Sequence, residues 1–361
     1  MPSISVDLKE NSYTIEVGAQ NLKDLGKAVK ALGLGEDAIV ITHACIANLH
    51  GEAILEGLEG AGISVKILEV PEGESSKSAA MVMDLVGKVA EYDVKRKIFL
   101  VAFGGGVIGD LVGFVAAVYR RGIPYIQVPT TLLAQIDSSI GGKVGIDLPV
   151  GKNLVGAFYQ PRIVWSDVNL LSTLDQRQIR NGLAEAIKYG VICDRNLFEM
   201  IEELGEKLVQ FDAKNFTHLV LECSRIKGRI VVNDERETKG IRTILNFGHT
   251  IGHAIEAADQ YQNYQHGEAV ALGMRVALDI SRRLELVDSV QVVRVNQVIS
   301  KVGLPEKIMH VTLPEIMSRM QHDKKFKGKT NRFVLATGIG SVKIVEGVDP
   351  LLIQMAIEAC M

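Results

Sequence analysis

The sequence predicts two joined domains. The first, over residues 1–175, is an α/β nucleotide-binding domain, Rossmann-like with a largely parallel sheet; the second, over 176–361, is mostly α-helical. Three observations predict this. Apolar runs of β type alternate with helical patterns up to about residue 175, the periodicity beyond Asp175 is almost entirely helical, and a glycine-rich turn joins one of the early strands to a helix.

Taken in order, ISVDLKENSYTIEVG alternates apolar and polar residues around Glu10-Asn11, which suits two short strands and a turn and not the unbroken apolar core of a signal peptide. AIVITH is a strand followed by a helix near 46–60, VKILEV by a helix near 77–91, and KIFLVAF by one from about 108; YIQVPT and RIVWSD extend the sheet. RQIRNGLAEAIKYGV and GEAVALGMRVALDISRRL carry helical periodicity, and RFVLATGIGSVKIVEG reads as a late hairpin. No repeat or Ser/Pro-rich linker separates the halves, so a short hinge with a cleft beside it is expected.

The 361 residues, 47% of them hydrophobic, can bury a large core. Forty basic and 43 acidic side chains leave a net charge of −3, so no global field favours nucleic acid, and an anionic substrate needs a local cluster of cations. Cys45, Cys193, Cys223 and Cys360 lack metal-site or disulfide spacing, which suits a reducing cytoplasm. No apolar run is long enough to span a bilayer.

GGGVIGD, Gly104 to Asp110, satisfies GxGxxG between strand and helix, where backbone N–H groups and the positive helix end can approach a pyrophosphate; a tight turn for close packing is the other reading. The loop follows a strand near residue 100, and no acid lies about 20 residues on to take the ribose hydroxyls. In PEGESSK, Glu74 could take over the ribose beside Lys77, or simply open a helix. GHTIGHAIE sets His249 and His253 four residues apart on one helix face; with no Glu after the first His the zinc-protease motif is not met, and spacing alone leaves both, one or neither as a metal ligand.

GGGVIGDLVGF, RRGIPYIQVPTTLLAQIDSSIGGKVGIDLPVGKNLVGAFYQP, RNGLAEAIKYG, DERE with GIRTILNFGHTIGHAIE, and HGEAVALGM together resemble the 3-dehydroquinate synthase family, over about residues 70–330. The resemblance implies a homodimeric, cytoplasmic enzyme using NAD and a divalent metal, zinc or cobalt. It would convert the heptulosonate phosphate DAHP to 3-dehydroquinate and phosphate in the shikimate pathway, through transient oxidation, phosphate β-elimination, re-reduction and an intramolecular aldol closure.

Carried over residue by residue, the resemblance implies Glu185, His249 and His266 as metal ligands. Two imidazoles and a carboxylate leave coordination positions open for a substrate. Substrate would be bound by Arg121, reaching the partner subunit's site, and by Asp137, Lys143, Asn153, Lys188, Lys227, Arg242, Asn246 and a lysine of HDKK, Lys324 or Lys325. His253 and Glu237 would move protons, with Lys143, Lys188, Arg242 and Asn246 also in the catalytic set. The cofactor would meet Glu74, Lys77, Gly105, Gly106, Val107, Asp110, Thr130, Thr131, Lys152, Thr173 and Asn181. Two departures stand out: Thr42-His43 replaces a common Thr-Asp, and DERETKGIR is one residue longer than the usual form, which bears on Glu237. Other readings are a sugar-phosphate cyclase acting on sedoheptulose 7-phosphate or glucose 6-phosphate, an oxidoreductase of the glycerol dehydrogenase type, and a noncatalytic NAD-binding protein.

Overall fold

A computed structural model describes residues 2–94, 96–322 and 330–361. The described chain divides into two compact units, Met1–Leu174 with Ala213–Arg236, and Asp175–Asp212 with Glu237–Met361. A single division at residue 175 therefore misplaces one helix.

In the first unit the strands are β1 (Ser3–Val6), β2 (Tyr13–Gly18), β3 (Asp37–His43), β4 (Ser64–Val70), β5 (Ile98–Gly104), β6 (Tyr125–Pro129), β7 (Lys143–Leu148), β8 (Gly151–Phe158) and β9 (Ile163–Asp167). Seven of the described strands form one sheet in the order β1-β2-β9-β6-β5-β3-β4, all neighbours parallel except β1 with β2. β3, β5, β6 and β9 are buried nearly throughout, as central parallel strands must be, which is why they read as unbroken apolar runs. Their side chains alternate between two cores. Ile39, Ile41, Leu100 and Ala102 pack under helices α3 (Ala79–Tyr92) and α4 (Gly106–Val118). Ala38, Val40, Phe99 and Val101 face α1 (Leu25–Ala31) and α2 (Ala44–Glu59).

The chain runs from β3 outward to edge strand β4 and returns to β5 on the other side of β3, so the strand order reverses between β3 and β5. In open α/β sheets the crevice beyond the carboxyl ends at such a point is where ligands bind. The glycine-rich turn leaves the end of β5 there.

The second unit holds α5 (Gln176–Cys193) and α6 (Arg195–Leu204); α7 (Ala213–Asn233) then returns to the first unit, where it packs on β1, β2 and the turn at Ala134–Ser138. Its apolar stripe, with Phe216, Leu219, Val220 and Cys223 fully buried, belongs to that core, which explains the discontinuous division. The second unit continues with α8 (His249–Ala258), α9 (His266–Arg283), α10 (Ser289–Lys301), α11 (Leu313–His322), the antiparallel pair β10 (Arg332–Gly338) and β11 (Ser341–Glu346), and α12 (Pro350–Glu358). α5 and α9 are almost wholly buried, and α8 lies so close to α9 that a Cβ on Gly273 would sit 2.0 Å from the Gly248 carbonyl oxygen. Among the described residues, no helix is long and apolar enough to cross a membrane.

Candidate active site

Three helices of the second unit converge on one acid. Glu185 stands midway along α5 and is fully buried, His249 is the first residue of α8, and His266 is the first of α9. One ligand atom from each lies within 4.8 Å of the others. His249 Nε2 is 3.5 Å and His266 Nε2 3.6 Å from the same carboxylate oxygen, Oε1. Close packing fixes this: a Cβ on Gly267 would fall 2.1 Å from the Asn181 carbonyl oxygen, so α9 can start against α5 only because a glycine follows His266.

The electrostatics suit a divalent cation. Neither oxygen of Glu185 accepts a hydrogen bond with proper geometry, although the Lys188 ammonium contacts Oε2. Burial disfavours the Glu185 carboxylate, but Lys188 and the two imidazoles outweigh it and hold its pKa well below the usual value. Burial and the Lys188 charge hold the His249 pKa well below its ordinary value despite Glu185, which favours the neutral form that a metal ligand needs. Its Nδ1 lies 3.1 Å from the Phe247 carbonyl oxygen, which turns Nε2 to Glu185. A buried carboxylate whose oxygens lack well-formed hydrogen bonds, beside an imidazole biased to its neutral form, has the chemistry of a donor set for a divalent cation.

His253 is exposed one turn along α8, its ring 5.3 Å from that of His249 and 5.9 Å from that of His266. Glu256, buried on the same helix, approaches His266 Nδ1 at 3.5 Å. Burial opposes the charged form of His266, but Glu185 and Glu256 outweigh it and push the pKa up to about 10. Sequence reasoning missed Glu256. Its spacing, three residues after His253 and seven after His249 on one helix face, was the signal available. Arg242, buried in the turn Ile241–Asn246 that packs on α5, lies 3.4 Å from Glu237, and Asn246 ends the same turn. Glu237 is partly exposed with a positive φ.

The remaining expected residues lie in the first unit. No side chain caps α4, whose first turn starts at Gly106; a Cβ on Gly105 would come within 3.1 Å of Thr131, and one on Gly106 within 3.0 Å of Ser138 Oγ. The bare backbone thus keeps a cradle open, with Val107 in that first turn and Thr130 and Thr131 just beyond β6. Lys77 is buried with its ammonium 2.8 Å from Asp110 and 2.5 Å from Asn153 Oδ1, while Glu74 lies between Lys77 at 3.4 Å and Lys152 at 3.5 Å. Asn153 therefore lies with residues expected on the cofactor; it is the third residue of β8, and its positive φ falls where the β7–β8 pairing shifts register. Thr173 Oγ1 meets His50 Nε2 at 2.9 Å. Asp137 and Lys227 pair at 2.6 Å. Lys143 opens β7 with its side chain exposed, and Arg121 is exposed with a positive φ. Asn181 sits in the second unit, its amide oxygen accepting from the Gly267 N–H at 2.5 Å. Lys324 and Lys325 lie outside the described residues.

A parallel sheet with a glycine-opened helix at its switch point, followed in one chain by a helical unit carrying an acid–imidazole cluster, is the architecture of the dehydroquinate synthase-like sugar-phosphate cyclases. At 27% identity, the chain matches a structure of 2-deoxy-scyllo-inosose synthase complexed with carbaglucose-6-phosphate, NAD+ and Co2+ over 100% of both chains, with a TM-score of 0.90. A 2-epi-5-epi-valiolone synthase from Streptomyces hygroscopicus with NAD+ and Zn2+ bound matches over 98% of each chain, at 27% identity and TM-score 0.88. A glycerol dehydrogenase from Schizosaccharomyces pombe, 18% identical with a TM-score of 0.65, shares the fold alone.

The chain belongs to the 3-dehydroquinate synthase family: the family's N-terminal model matches residues 67–181 and its C-terminal model residues 182–326. It is 43% identical to a 3-dehydroquinate synthase of Pelotomaculum thermopropionicum over 96% of this chain and 94% of that one. It is 42% identical to one of Acidithiobacillus ferrooxidans over 100% and 99%.

Proposed function

We propose that the chain is a 3-dehydroquinate synthase, converting DAHP to 3-dehydroquinate and phosphate in the cytoplasm as a step of aromatic biosynthesis. The observation that carries this is the Glu185–His249–His266 cluster with Lys188 against it, in a chain so similar to named synthases over its whole length. Glu185, His249 and His266 would hold a divalent metal, zinc or cobalt. The backbone of Gly105, Gly106 and Val107, with Glu74, Lys77, Asp110, Thr130, Thr131, Lys152, Thr173 and Asn181, would hold NAD. When bound, the metal polarises a ring hydroxyl and NAD supplies its transient oxidation and later re-reduction.

Substrate anions call for cations. Lys188 and Arg242 in the second unit, and Lys143 and Lys227 in the first, are the candidates, with Asp137, Asn153 and Asn246 orienting hydroxyls. Lys324 and Arg121 complete the proposed set, Arg121 from a partner subunit. His253, exposed at the edge of the cluster, exchanges protons at the substrate, with Glu237 as a second proton carrier. Elimination of phosphate needs a proton removed beside a carbonyl, and the aldol closure needs one returned, so an imidazole, which can accept and donate a proton, suits both. A homodimer is supported by the β7–β8 hairpin, which exposes Val150, Leu154, Val155 and Phe158.

The test is to incubate purified protein with DAHP, NAD and zinc, following phosphate and 3-dehydroquinate with and without chelator, with sedoheptulose 7-phosphate and glucose 6-phosphate as parallel substrates. Both products from DAHP with no net NADH are expected. Turnover of another sugar phosphate only, or NADH accumulating with polyols, would replace this reading.

A further inference from the structure

The two ring nitrogens of His266 face different carboxylates: Nε2 lies 3.6 Å from Glu185 and Nδ1 lies 3.5 Å from Glu256. A neutral imidazole that offers Nε2 to a cation must carry its proton on Nδ1, and that proton needs an acceptor. His249 finds its acceptor in the Phe247 backbone carbonyl at 3.1 Å. For His266 the nearby acceptor is a side chain, the buried carboxylate of Glu256 on α8. We propose that Glu256 is a positioning residue for the metal centre: it accepts the Nδ1 proton of His266, fixes the tautomer and ring orientation that present Nε2 beside Glu185, and raises the basicity of that nitrogen.

The competing geometry is real, because His253, Glu256 and His266 also bring ligand atoms within 4.8 Å of one another. Burial decides between the two. Glu185 is fully buried with neither oxygen properly hydrogen-bonded, whereas the second trio includes an exposed histidine and a carboxylate 3.5 Å from His266 Nδ1. Placing the ion at the second trio would leave the buried Glu185 carboxylate, whose oxygens lack a well-formed hydrogen bond, with the Lys188 ammonium as its counter-charge. Helix α8 thus supplies both a ligand, His249, and the group that aligns the ligand on the neighbouring helix.

The inference rests on the metal reading proposed above, and the experiment separates the two. Zinc dissociation constants are measured by chelator competition for wild type, Glu185→Ala, Glu256→Ala and Glu256→Gln, with apoprotein melting temperatures and the visible absorption of the cobalt-loaded forms. Glu256→Ala is expected to bind zinc about 10–100-fold more weakly, the range seen when an outer partner of a metal-bound histidine is lost. Its cobalt spectrum should change while its apoprotein melting temperature does not. Glu256→Gln, which keeps an acceptor oxygen but loses the charge, should recover part of the affinity and the wild-type spectrum. Wild-type affinity and spectrum in Glu256→Ala would overturn the inference alone. So would loss of affinity matched by an equal fall in apoprotein stability in both Glu256 variants, which would mark a purely structural role. Zinc binding by wild type that survives in Glu185→Ala would instead overturn the metal reading itself.

Discussion

Glu185 and Lys188 stand one turn apart on α5, and both are buried, so the acid keeps its charge only because cationic or polar neighbours compensate it. If that charge serves a metal, Glu185→Ala and His266→Ala should purify without stoichiometric zinc. His253→Ala should retain zinc yet lose turnover at least about 100-fold, as expected for a lost general acid–base group; metal analysis beside the product assay distinguishes them. A different titration marks the first unit. Burial, with Glu74 and Asp147 nearby, pushes Asp110 up from 3.8 to about 6 in spite of the Lys77 ammonium at 2.8 Å. A folded-state pKa above the unfolded one favours the folded chain fully below about 3.8, and that advantage is lost as pH rises through about 6. Asp110→Asn, which cannot ionise, should therefore gain stability relative to wild type on going from pH 4 to pH 7, by up to about 3 kcal/mol. Urea denaturation at both pH values measures it, and a difference independent of pH would refute the shift. At this scale the sequence was only half legible. Spacing could not choose between His249 and His253, since both share a face. The choice needs tertiary facts: a carbonyl behind His249 Nδ1 and solvent around His253.

Helices α8 and α9 position two of the three proposed ligands, and glycines set their separation. A Cβ on Gly273 would meet the Gly248 oxygen at 2.0 Å and the Gly252 nitrogen at 2.8 Å, both backbone atoms that cannot swing aside. Gly273→Ala should cost about 1–3 kcal/mol, the range for overpacking, and weaken zinc binding as well, because His249 and His266 ride on the displaced helices. A melting temperature and zinc affinity equal to wild type would show that the helices are not held this way. The strands that were readable, such as β3 and β5, are apolar throughout because both faces are covered. The β7–β8 hairpin was not anticipated. Its run KVGIDLPVGKNLVGAF is broken by Lys143, Gly145, Lys152, Asn153 and Gly156, and β8 leaves most of its side chains exposed, so no two-residue alternation against a core is written into it. That hairpin nevertheless brings Asn153 to Lys77.

Over the whole molecule, the alternation of strands and helices and the later helical region were legible, because periodicity reports which face of an element is apolar. It does not report what that face meets. Helix α7 lies amid helical sequence yet belongs with the sheet, where Lys227 also pairs with Asp137. A fragment ending at residue 175 should accordingly lack cooperative unfolding by circular dichroism, and adding a peptide spanning 213–236 should restore it in part. The exposed apolar residues of the hairpin carry a second expectation: if the proposed homodimer forms through them, Phe158→Asp, at a 43% exposed position, should be monomeric in light scattering where wild type is dimeric. The excursion of α7 also constrains how such chains can recombine. A single crossover between two relatives at residue 175 would pair one parent's sheet with the other parent's α7, leaving each hybrid with a mismatched core. An exchange that moves residues 1–174 and 213–236 together preserves that core, so hybrids viable by single crossover should be rarer than the linear order of the sequence suggests.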